Sequence, residues 1–297
     1  MSDKQVRVIL WSIPRTVSTA FTKSMSNLDD VQIINEPYTS VYFYGPDKQI
    51  HFNDQVERDN DKFIKTIDAV QMDYQAGWKY ETATYTFIKE DVMEAEYTEK
   101  KVIFVKDMAF AITGKLDMLP MGYRHAFLIR NPVKTFVSWK AMLSRFLKER
   151  DREFELDITE WIPEHYGFGE SFQLYEHLVK NNIEQNPVII DSDDLLANPK
   201  STMKQFCERI GIKYSDKLLN WQPGDEVAQA WKSSTITVKG NKKADLFKEA
   251  FASSNFHTSK PEPNRSELDD DINTCIDTAL PYYNKMYALR LQSTEST

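Results

Sequence analysis

Short apolar runs, each followed by polar or charged residues, recur along the chain. They are rich in β-branched residues and too short to fill a helix, so they predict buried strands of a parallel sheet. The carboxyl ends of parallel strands meet at one edge of a sheet, and ligands bind there. The pattern therefore predicts a single site beyond five strands, at residues 8–10, 31–34, 102–105, 126–129 and 188–190.

Helical periodicity fills most of the intervals between these runs. The predicted helices are residues 61–74, 133–150, 169–181, 199–210 and 269–291, with a shorter helix and turn at 110–121. Alternating strands and helices predict an α/β fold, with a mainly parallel sheet flanked by helices in a single domain whose core spans about residues 6–291. Residues 233–265, rich in Ser, Lys, Asn and Pro, predict a long flexible loop, and residues 292–297 a disordered tail.

The connection after the first strand has the composition of an anion site. Pro14 stops the strand, and Arg15 follows beside the hydroxyl residues Thr16, Ser18 and Thr19. The next residues space apolar side chains on one helical face, with Ser18 as the candidate N-cap. The free N–H groups of a helix's first turn, its dipole and a guanidinium together favour a phosphate or sulfate. A plain connection with an exposed arginine would have the same sequence.

Composition narrows the classes of partner. The 297 residues include 41% hydrophobic residues, enough for a sizeable core, and carry a formal net charge of −8. This charge disfavours binding to nucleic acid or to an anionic membrane surface. No apolar stretch approaches the roughly 20 residues that span a bilayer, so we expect a soluble, cytoplasmic protein. Cys207 and Cys275 have no metal-ligand spacing, and we expect neither a disulfide nor zinc.

Four segments, in order, make the chain resemble the sulfotransferases that use 3′-phosphoadenosine 5′-phosphosulfate (PAPS). Residues 14–19 resemble the loop that binds the 5′-phosphosulfate. The strand ending in Arg130, with Ser138 eight positions later, is similar to the segment that binds the 3′-phosphate. Residues 193–199 resemble a further family segment, and residues 239–243 stand in the place of a basic, glycine-containing loop. The resemblance extends from Val6 to about Lys243 and implies the sulfotransferase version of the P-loop-containing nucleoside triphosphate hydrolase fold.

The family's chemistry supplies roles for particular residues. The resemblance implies PAPS as cofactor, adenosine 3′,5′-bisphosphate as product and no metal. Arg15 would stabilise the bridging oxygen of the leaving nucleotide, and Arg130 and Ser138 would hold its 3′-phosphate. The expected cofactor-binding residues are Pro14, Arg15, Thr16, Val17, Ser18, Thr19, Ala20, Arg130, Ser138, Ser192, Lys239 and Gly240.

The chain also departs from the family at three places. Val17 replaces a glycine that readily takes a positive φ, so we expect a less tight loop. Residues 106–108 read Lys-Asp-Met where many animal members have Lys-Thr-His, so their histidine base is absent. Ser192 stands where the family often has a tyrosine against the adenine, which leaves Trp78 or Trp231 as candidates for stacking.

Catalytic candidates follow from the strand ends and from the same resemblance. Glu36 ends the second strand and resembles the glutamate base of certain bacterial and carbohydrate sulfotransferases, so it is the leading base. Asp107 is an alternative base, although beside Lys106 it could form an ion pair instead. Lys106 is a second candidate cation, after Arg15. None of the five histidines has a supporting motif.

The acceptor is predicted only as a class. Many aromatic residues fall near the predicted site, and aromatic clefts suit small planar ligands. Core packing would account for the same residues. We predict sulfuryl transfer from PAPS to a hydroxyl, phenolic or otherwise, of a small molecule. A non-catalytic protein that binds adenosine 3′,5′-bisphosphate and a P-loop small-molecule kinase are the alternatives, although the glycines and lysine of an ATP-binding P-loop are missing. The expected acceptor contacts are Tyr38, Tyr42, Trp78 and Phe110.

Overall fold

A five-stranded parallel sheet forms the centre of the protein. The computed structural model describes residues 5–49, 65, 77–148, 156–162, 164–244 and 247–292. The structure confirms the α/β class and the five predicted strands, and it lengthens each of them. The strands are β1 (Val6–Ser12), β2 (Val31–Asn35), β3 (Val102–Asp107), β4 (Arg124–Ile129) and β5 (Val188–Asp191).

The strand order β2-β3-β1-β4-β5 determines where a ligand can bind. The connection from β1 leads to β2 on one side of the sheet, and the connection from β4 leads to β5 on the other. A crevice opens beyond neighbouring strands whose connections leave in opposite directions. β1 and β4 are such neighbours, with Ser12 opposite Leu128 at their carboxyl ends. Arg15 and Arg130 follow these two strands, so the topology brings both arginines to the crevice.

Helices cover both faces of the sheet. The helices in the described part of the chain are α1 (Ser18–Met25), α2 (Pro37–Tyr44), α3 (Tyr85–Phe87), α4 (Pro132–Lys148), α5 (Phe168–Lys180), α6 (Ser192–Ala197), α7 (Pro199–Ile210), α8 (Thr235–Ala244), α9 (Lys248–Ala252) and α10 (Asp270–Ala288). A π-helix, Ile88–Met93, continues α3. None of these helices is long and apolar enough to cross a bilayer.

Alternation along β1 gives each face of the sheet its own core. Ile9 and Trp11 are fully buried on the face that packs against α2, α4, α5 and α10. Val8 and Leu10 are fully buried on the opposite face, which α1 and α7 cover. Because successive side chains of a strand point to opposite faces, both kinds of residue must be apolar when helices cover both faces. The continuous apolar run of β1 is therefore explained.

The predicted helices from residue 133 onwards agree with α4, α5, α7 and α10 to within a few residues. The predicted helix at 61–74 lies outside the described residues, apart from 65. The segment 110–121 holds two short 3₁₀ helices, Ala109–Ile112 and Leu116–Met118. The aromatic helix α2 was not predicted, because its apolar residues have no helical periodicity.

The prediction of a long irregular loop at 233–265 is wrong, because α8 and α9 lie within it. Tertiary contacts explain these short helices. Ile236 of α8 is buried, and the ammonium of Lys23 donates to the carbonyls of Ala250, Phe251 and Ser253 at 3.0–3.4 Å. Free carbonyls at the end of a helix need such a donor. Lys23 thus stabilises the end of α9 from a distant part of the sequence.

Candidate functional site

A cleft of about 1150 Å³ opens at the carboxyl edge of the sheet. Segments that follow all five strands line it, as the sequence pattern predicts. It is larger than the ~300–1,000 Å³ typical of a pocket for one small ligand. The predicted site residues that line it are Pro14, Arg15, Thr16, Val17, Ser18, Thr19, Ala20, Glu36, Tyr42, Lys106, Phe110, Arg130 and Ser138.

The loop after β1 is tightly wound, contrary to the expectation from Val17. Arg15 has φ 66° and Val17 has φ 57°, both in the left-handed region. This conformation is costly for a β-branched residue and occurs where the surrounding structure imposes it. The tight turn therefore forms without the glycine. Val17 precedes the first helical residue, so it occupies the N-cap position that was predicted for Ser18.

Side chains hold the carbonyl oxygens of this loop. Thr16 Oγ1 donates to the Ile13 carbonyl at 2.6 Å, and Arg130 Nη1 donates to the Arg15 carbonyl at 2.9 Å. Ser192 Oγ donates to the Thr16 carbonyl at 2.8 Å. Within the described part of the chain, no side chain caps the N-terminus of α1. The first N–H groups of α1 therefore remain available at the cleft, where an anion could accept them.

Two guanidinium groups meet beside this helix end. Arg15 Nε donates to Ser138 Oγ at 3.1 Å, which leaves both terminal nitrogens of Arg15 without a hydrogen bond to a described residue. Arg130 Nε is buried and no described residue accepts a hydrogen bond from it. Burial lowers the pKa of Arg15, and Arg130 and Arg145 lower it further, against the opposing charge of Glu249. A bound anion would relieve this unfavourable burial of positive charge. We call residues 13–20, Arg130 and Ser138 the cationic end of the cleft.

An ion pair lies at the ends of β2 and β3. Lys106 is 1% exposed and Glu36 is 7% exposed, and Lys106 Nζ donates to Glu36 Oε1. The alternative ion pair of Lys106 with its neighbour Asp107 does not form. The Glu36 N–H also donates to the Lys106 carbonyl, at 2.7 Å. Register places Lys106 opposite Leu10 of β1, so this pair sits at the same sheet edge as the loop.

Asp107 has a structural environment and does not line the cleft. Its carboxylate accepts the N–H groups of Tyr38, Thr39 and Met108 at 2.6, 3.2 and 2.8 Å, and the Thr39 hydroxyl at 2.6 Å. It thereby caps α2 from a neighbouring strand and fixes the turn that carries Glu36. Burial raises its pKa to about 6. As the alternative base, Asp107 would lie too deep to reach a ligand in the cleft.

Aromatic rings form the opposite wall of the cleft. Phe110 stacks on Tyr166 with ring centroids 4.9 Å apart, and Tyr42 meets Phe110 edge-on at 5.1 Å. Trp139 meets Tyr166 edge-on at 6.1 Å. We call these four residues the aromatic end. Trp139 and Tyr166 were not predicted to line the site. For Trp139, its position directly after Ser138 in the sequence could have indicated this role.

Several predicted contacts lie elsewhere. The Tyr38 hydroxyl donates to the Met118 carbonyl, and Trp78 Nε1 donates to Ser40 Oγ at 3.3 Å, both away from the cleft lining. Trp231 Nε1 donates to Ser26 Oγ at 2.8 Å and does not line the cleft either. Ser192 is fully buried beneath the loop, so it supports the loop and does not line the cleft.

The predicted basic loop at residues 239–243 is helical. Lys239 and Gly240 belong to α8 and not to a flexible connection. A different segment crosses the cleft beside α4. Ser259 Oγ donates to Asp193 Oδ1 at 2.6 Å, and Lys134 Nζ donates to both Asp193 Oδ2 and Ser259 Oγ at 2.9 Å. Residues 257–261 thereby line the cleft next to Arg130, a placement that polar composition alone did not predict.

Comparisons with known proteins add sequence relatives of much greater length. No family model matches the chain. It is 25% identical over 218 residues to branched-chain-amino-acid aminotransferase-like protein 2 of Arabidopsis thaliana, covering 72% of the chain. It is 23% identical over 283 residues to the like-named protein 1 of the same plant, covering 92% of the chain. The matches span only 31% and 40% of those two relatives.

Solved structures similar to this chain are sulfotransferase domains at low identity. A sulfotransferase domain from the curacin biosynthetic pathway has a TM-score of 0.45 at 14% identity, covering 94% of this chain and 98% of that one. The sulfotransferase domain of the Synechococcus PCC 7002 olefin synthase has a TM-score of 0.42 at 10% identity, covering 93% and 94%. A sulfotransferase from Alicyclobacillus acidocaldarius has a TM-score of 0.36 at 14% identity, covering 82% and 96%.

Proposed function

We propose that the protein transfers a sulfuryl group from PAPS to a hydroxyl of a small molecule. The observation that carries this proposal is the convergence of Arg15, Ser138 and Arg130 on a left-handed loop that precedes an uncapped helix. The sequence motifs assign Arg15 to the 5′-phosphosulfate, and Arg130 and Ser138 to the 3′-phosphate. These three residues belong to one hydrogen-bonded group. A nucleotide with phosphates at both its 3′ and 5′ positions matches that arrangement.

The cationic end has enough unused donors for two phosphates. Arg15 keeps its two terminal nitrogens for the 5′-phosphosulfate, and the first N–H groups of α1 add further donors. Arg130 Nε and the Ser138 hydroxyl remain for the 3′-phosphate. Charge-assisted hydrogen bonds of this kind contribute about 1.5–3 kcal/mol each. The volume of the cleft leaves room for an acceptor beside the nucleotide.

The proposed reaction uses the buried ion pair at the ends of β2 and β3. Glu36 takes the proton of the acceptor hydroxyl as the acceptor oxygen bonds to sulfur. The bond from sulfur to the bridging oxygen breaks, and its electron pair leaves with adenosine 3′,5′-bisphosphate. Arg15 stabilises the charge that develops on that oxygen. Once Glu36 is protonated, Lys106 is no longer neutralised, and its charge is available to the oxygens of the transferring group.

Nucleotide binding and transfer are tested separately. Isothermal titration calorimetry with adenosine 3′,5′-bisphosphate should give binding that is tighter than that of ATP with Mg²⁺ by at least about tenfold. Mass spectrometry should then detect a sulfated product when PAPS and a panel of small alcohols and phenols are added. Sulfation in the presence of PAPS would support the proposal. Bisphosphate binding without turnover would indicate a binding protein, and phosphorylation with ATP and Mg²⁺ would indicate a kinase.

The names of the curated relatives call for one further control. Absorbance titration with pyridoxal phosphate tests for the cofactor on which aminotransferases depend. We expect no specific spectral change, because the buried lysine of the cleft, Lys106, is engaged by Glu36. A saturable change that Lys106→Arg abolishes would contradict the proposed function.

A further inference from the structure

The aromatic end contains polar groups that the protein itself does not satisfy. Trp139 Nε1 is buried and has no hydrogen-bond partner among the residues that the structure describes. The hydroxyls of Tyr42 and Tyr166 make no hydrogen bond to any described residue, although other buried tyrosines, such as Tyr85, do. An unpaired buried donor costs about 1–3 kcal/mol, so such groups need an explanation. One such buried donor, Trp139 Nε1, in the same cleft wall as two tyrosine hydroxyls that have no described partner, indicates a ligand that accepts hydrogen bonds.

These groups lie beside the proposed reaction centre. Tyr166 precedes Gly167, whose Cα lies so close to the loop after β1 that an added Cβ would meet Pro14 Cδ at 3.1 Å. The carboxylates of Glu36 and Glu170 both raise the pKa of Tyr166, after burial as the main cause. Trp139 directly follows Ser138 of the cationic end. A molecule packed on this wall would therefore lie next to both Glu36 and the transferring group.

The polarity of the wall restricts the chemistry of that molecule. An indole N–H can only donate, and burial raises the pKa of both Tyr42 and Tyr166, which keeps their hydroxyls protonated as donors. The ligand must therefore supply acceptor oxygens. A carboxylate would accept these bonds as well, but it would face the negative charges of Glu36 and Glu170. An uncharged carbonyl meets both requirements, and the stacked rings favour a flat body.

We propose that the aromatic end binds an uncharged aromatic alcohol that carries a second oxygen, a ketone, ester or amide carbonyl, to which Trp139 Nε1 donates. This inference rests on the proposed function, because it places the hydroxyl of the same molecule at Glu36. It goes beyond that function by naming a second group of the acceptor, the carbonyl, and the residue that binds it, Trp139.

Three para-substituted benzyl alcohols of similar size test the class of ligand. Para-acetylbenzyl alcohol has the carbonyl. Para-isopropylbenzyl alcohol has a methyl group in place of the carbonyl oxygen, and para-carboxybenzyl alcohol has a negatively charged carboxylate. Calorimetry is performed on the protein alone and again with saturating adenosine 3′,5′-bisphosphate. We expect the acetyl compound to bind about five- to tenfold more tightly than the isopropyl compound, from one buried hydrogen bond. The carboxylate should bind most weakly.

Two matched variants test the residue. Trp139→Phe keeps an aromatic ring and removes the N–H, so the ratio of the acetyl and isopropyl affinities should fall to about one. Trp78→Phe removes an indole N–H that Ser40 already accepts, and Trp78 itself does not line the cleft, so that ratio should stay at the wild-type value. Tyr166→Phe serves as a second variant, with a smaller fall in the ratio, if Trp139→Phe does not fold.

The outcomes separate this inference from the proposed function. Equal affinities of the acetyl and isopropyl compounds for the wild type would overturn the ligand class. A wild-type ratio that persists in Trp139→Phe would overturn the role of Trp139. Because the alcohols are also titrated without nucleotide, a failure of the bisphosphate to bind would count against the proposed function alone.

Discussion

The two ends of the cleft are built by different means. At the cationic end, side chains from distant segments bind the backbone of one loop, and Arg130, Thr16 and Ser192 together hold three of its carbonyls. At the aromatic end, rings from four separate segments contact one another, and Trp139 Nε1 and the hydroxyls of Tyr42 and Tyr166 make no hydrogen bond to a described residue. A site formed by a fixed backbone loop has one geometry. The shape and polarity of a site formed by side chains change with each substitution. We therefore expect substitutions at the cationic end to abolish cofactor binding and those at the aromatic end to change selectivity.

The largest effect is expected at Glu36, which lies between the two ends. Glu36→Gln should lower kcat by about 10²–10⁴-fold, the contribution typical of a general base, while both ends keep their ligands. Single-turnover kinetics with PAPS measures the loss, and calorimetry checks both ligands. Glu94→Gln, which removes a carboxylate paired with Lys89 outside the cleft, is the control. An undiminished kcat for Glu36→Gln would assign proton removal to another group.

Arg15→Ala should separate the two ends most clearly. Loss of the guanidinium should weaken bisphosphate binding at least tenfold and lower kcat by about 10²–10³-fold, the scale of one oxyanion donor. The affinity of para-acetylbenzyl alcohol for the nucleotide-free variant should stay within about twofold of wild type. Arg265→Ala, which removes a guanidinium paired with Asp277 away from the cleft, is the control. If alcohol binding fell in parallel, the two ends would not be independent.

Gly167→Ala tests the contact between the ends. Gly167 has φ +80°, and an added Cβ would lie 3.1 Å from Pro14 Cδ and 3.2 Å from Ile13 Cγ2. We expect a loss of about 1–3 kcal/mol in the free energy of unfolding and a several-fold loss of bisphosphate affinity. Gly211→Ala has the same strain at φ +83° with open space around its Cβ. It should lose stability in chemical denaturation but keep bisphosphate affinity, and a similar affinity loss in both variants would refute the contact.

The smallest effects concern two buried carboxylates, one near each end. Burial raises the pKa values of Asp107, which fixes the turn carrying Glu36, and Asp191, which precedes Ser192, to about 6. The pKa of each carboxyl is higher in the folded state than its unfolded value of about 3.9. The folded state therefore binds more protons between these two pKa values. As a result, the contribution of each carboxyl group to the free energy of unfolding falls as the pH rises from about 4 to 6. Asp107→Asn and Asp191→Asn should therefore gain stability relative to wild type across that interval. Urea unfolding at several pH values measures this; a difference that stays constant with pH would refute the shifts.

The sequence predicted the cationic end well because its parts are contiguous. Arg130 directly follows one strand and Arg15 lies three residues after another, so strand prediction brought both arginines to one edge, while the family resemblance added Ser138 in the first turns of the next helix. The pairing of Lys106 was predicted less well. Lys106 and Asp107 are successive residues of a strand, so their side chains point to opposite faces of the sheet. This alternation disfavours an ion pair between them and favours Glu36 as the partner of Lys106. Applying that rule to the end of the strand would have identified the ion pair.

The aromatic end could not be predicted in the same way. Its residues lie in four elements far apart in sequence, and which rings face the cleft depends on packing that no local pattern records. Tyr38 and Tyr42 lie on one short helix, yet Tyr38 is fully buried against Met118 and Tyr42 lines the cleft. Trp78 shows the same limit, because its indole N–H donates to Ser40 and its side chain does not line the cleft. The sequence analysis named two members of the wall, Tyr42 and Phe110, and missed Trp139 and Tyr166.

The central claim is that the cationic end recognises a nucleotide with two separate phosphates. Calorimetry of adenosine 3′,5′-bisphosphate and adenosine 5′-monophosphate, each with wild type and Arg130→Ala, tests it most directly. The account predicts that the bisphosphate binds wild type at least tenfold more tightly than the monophosphate, and that Arg130→Ala removes most of this difference. Equal affinities of the two nucleotides for the wild type would contradict it.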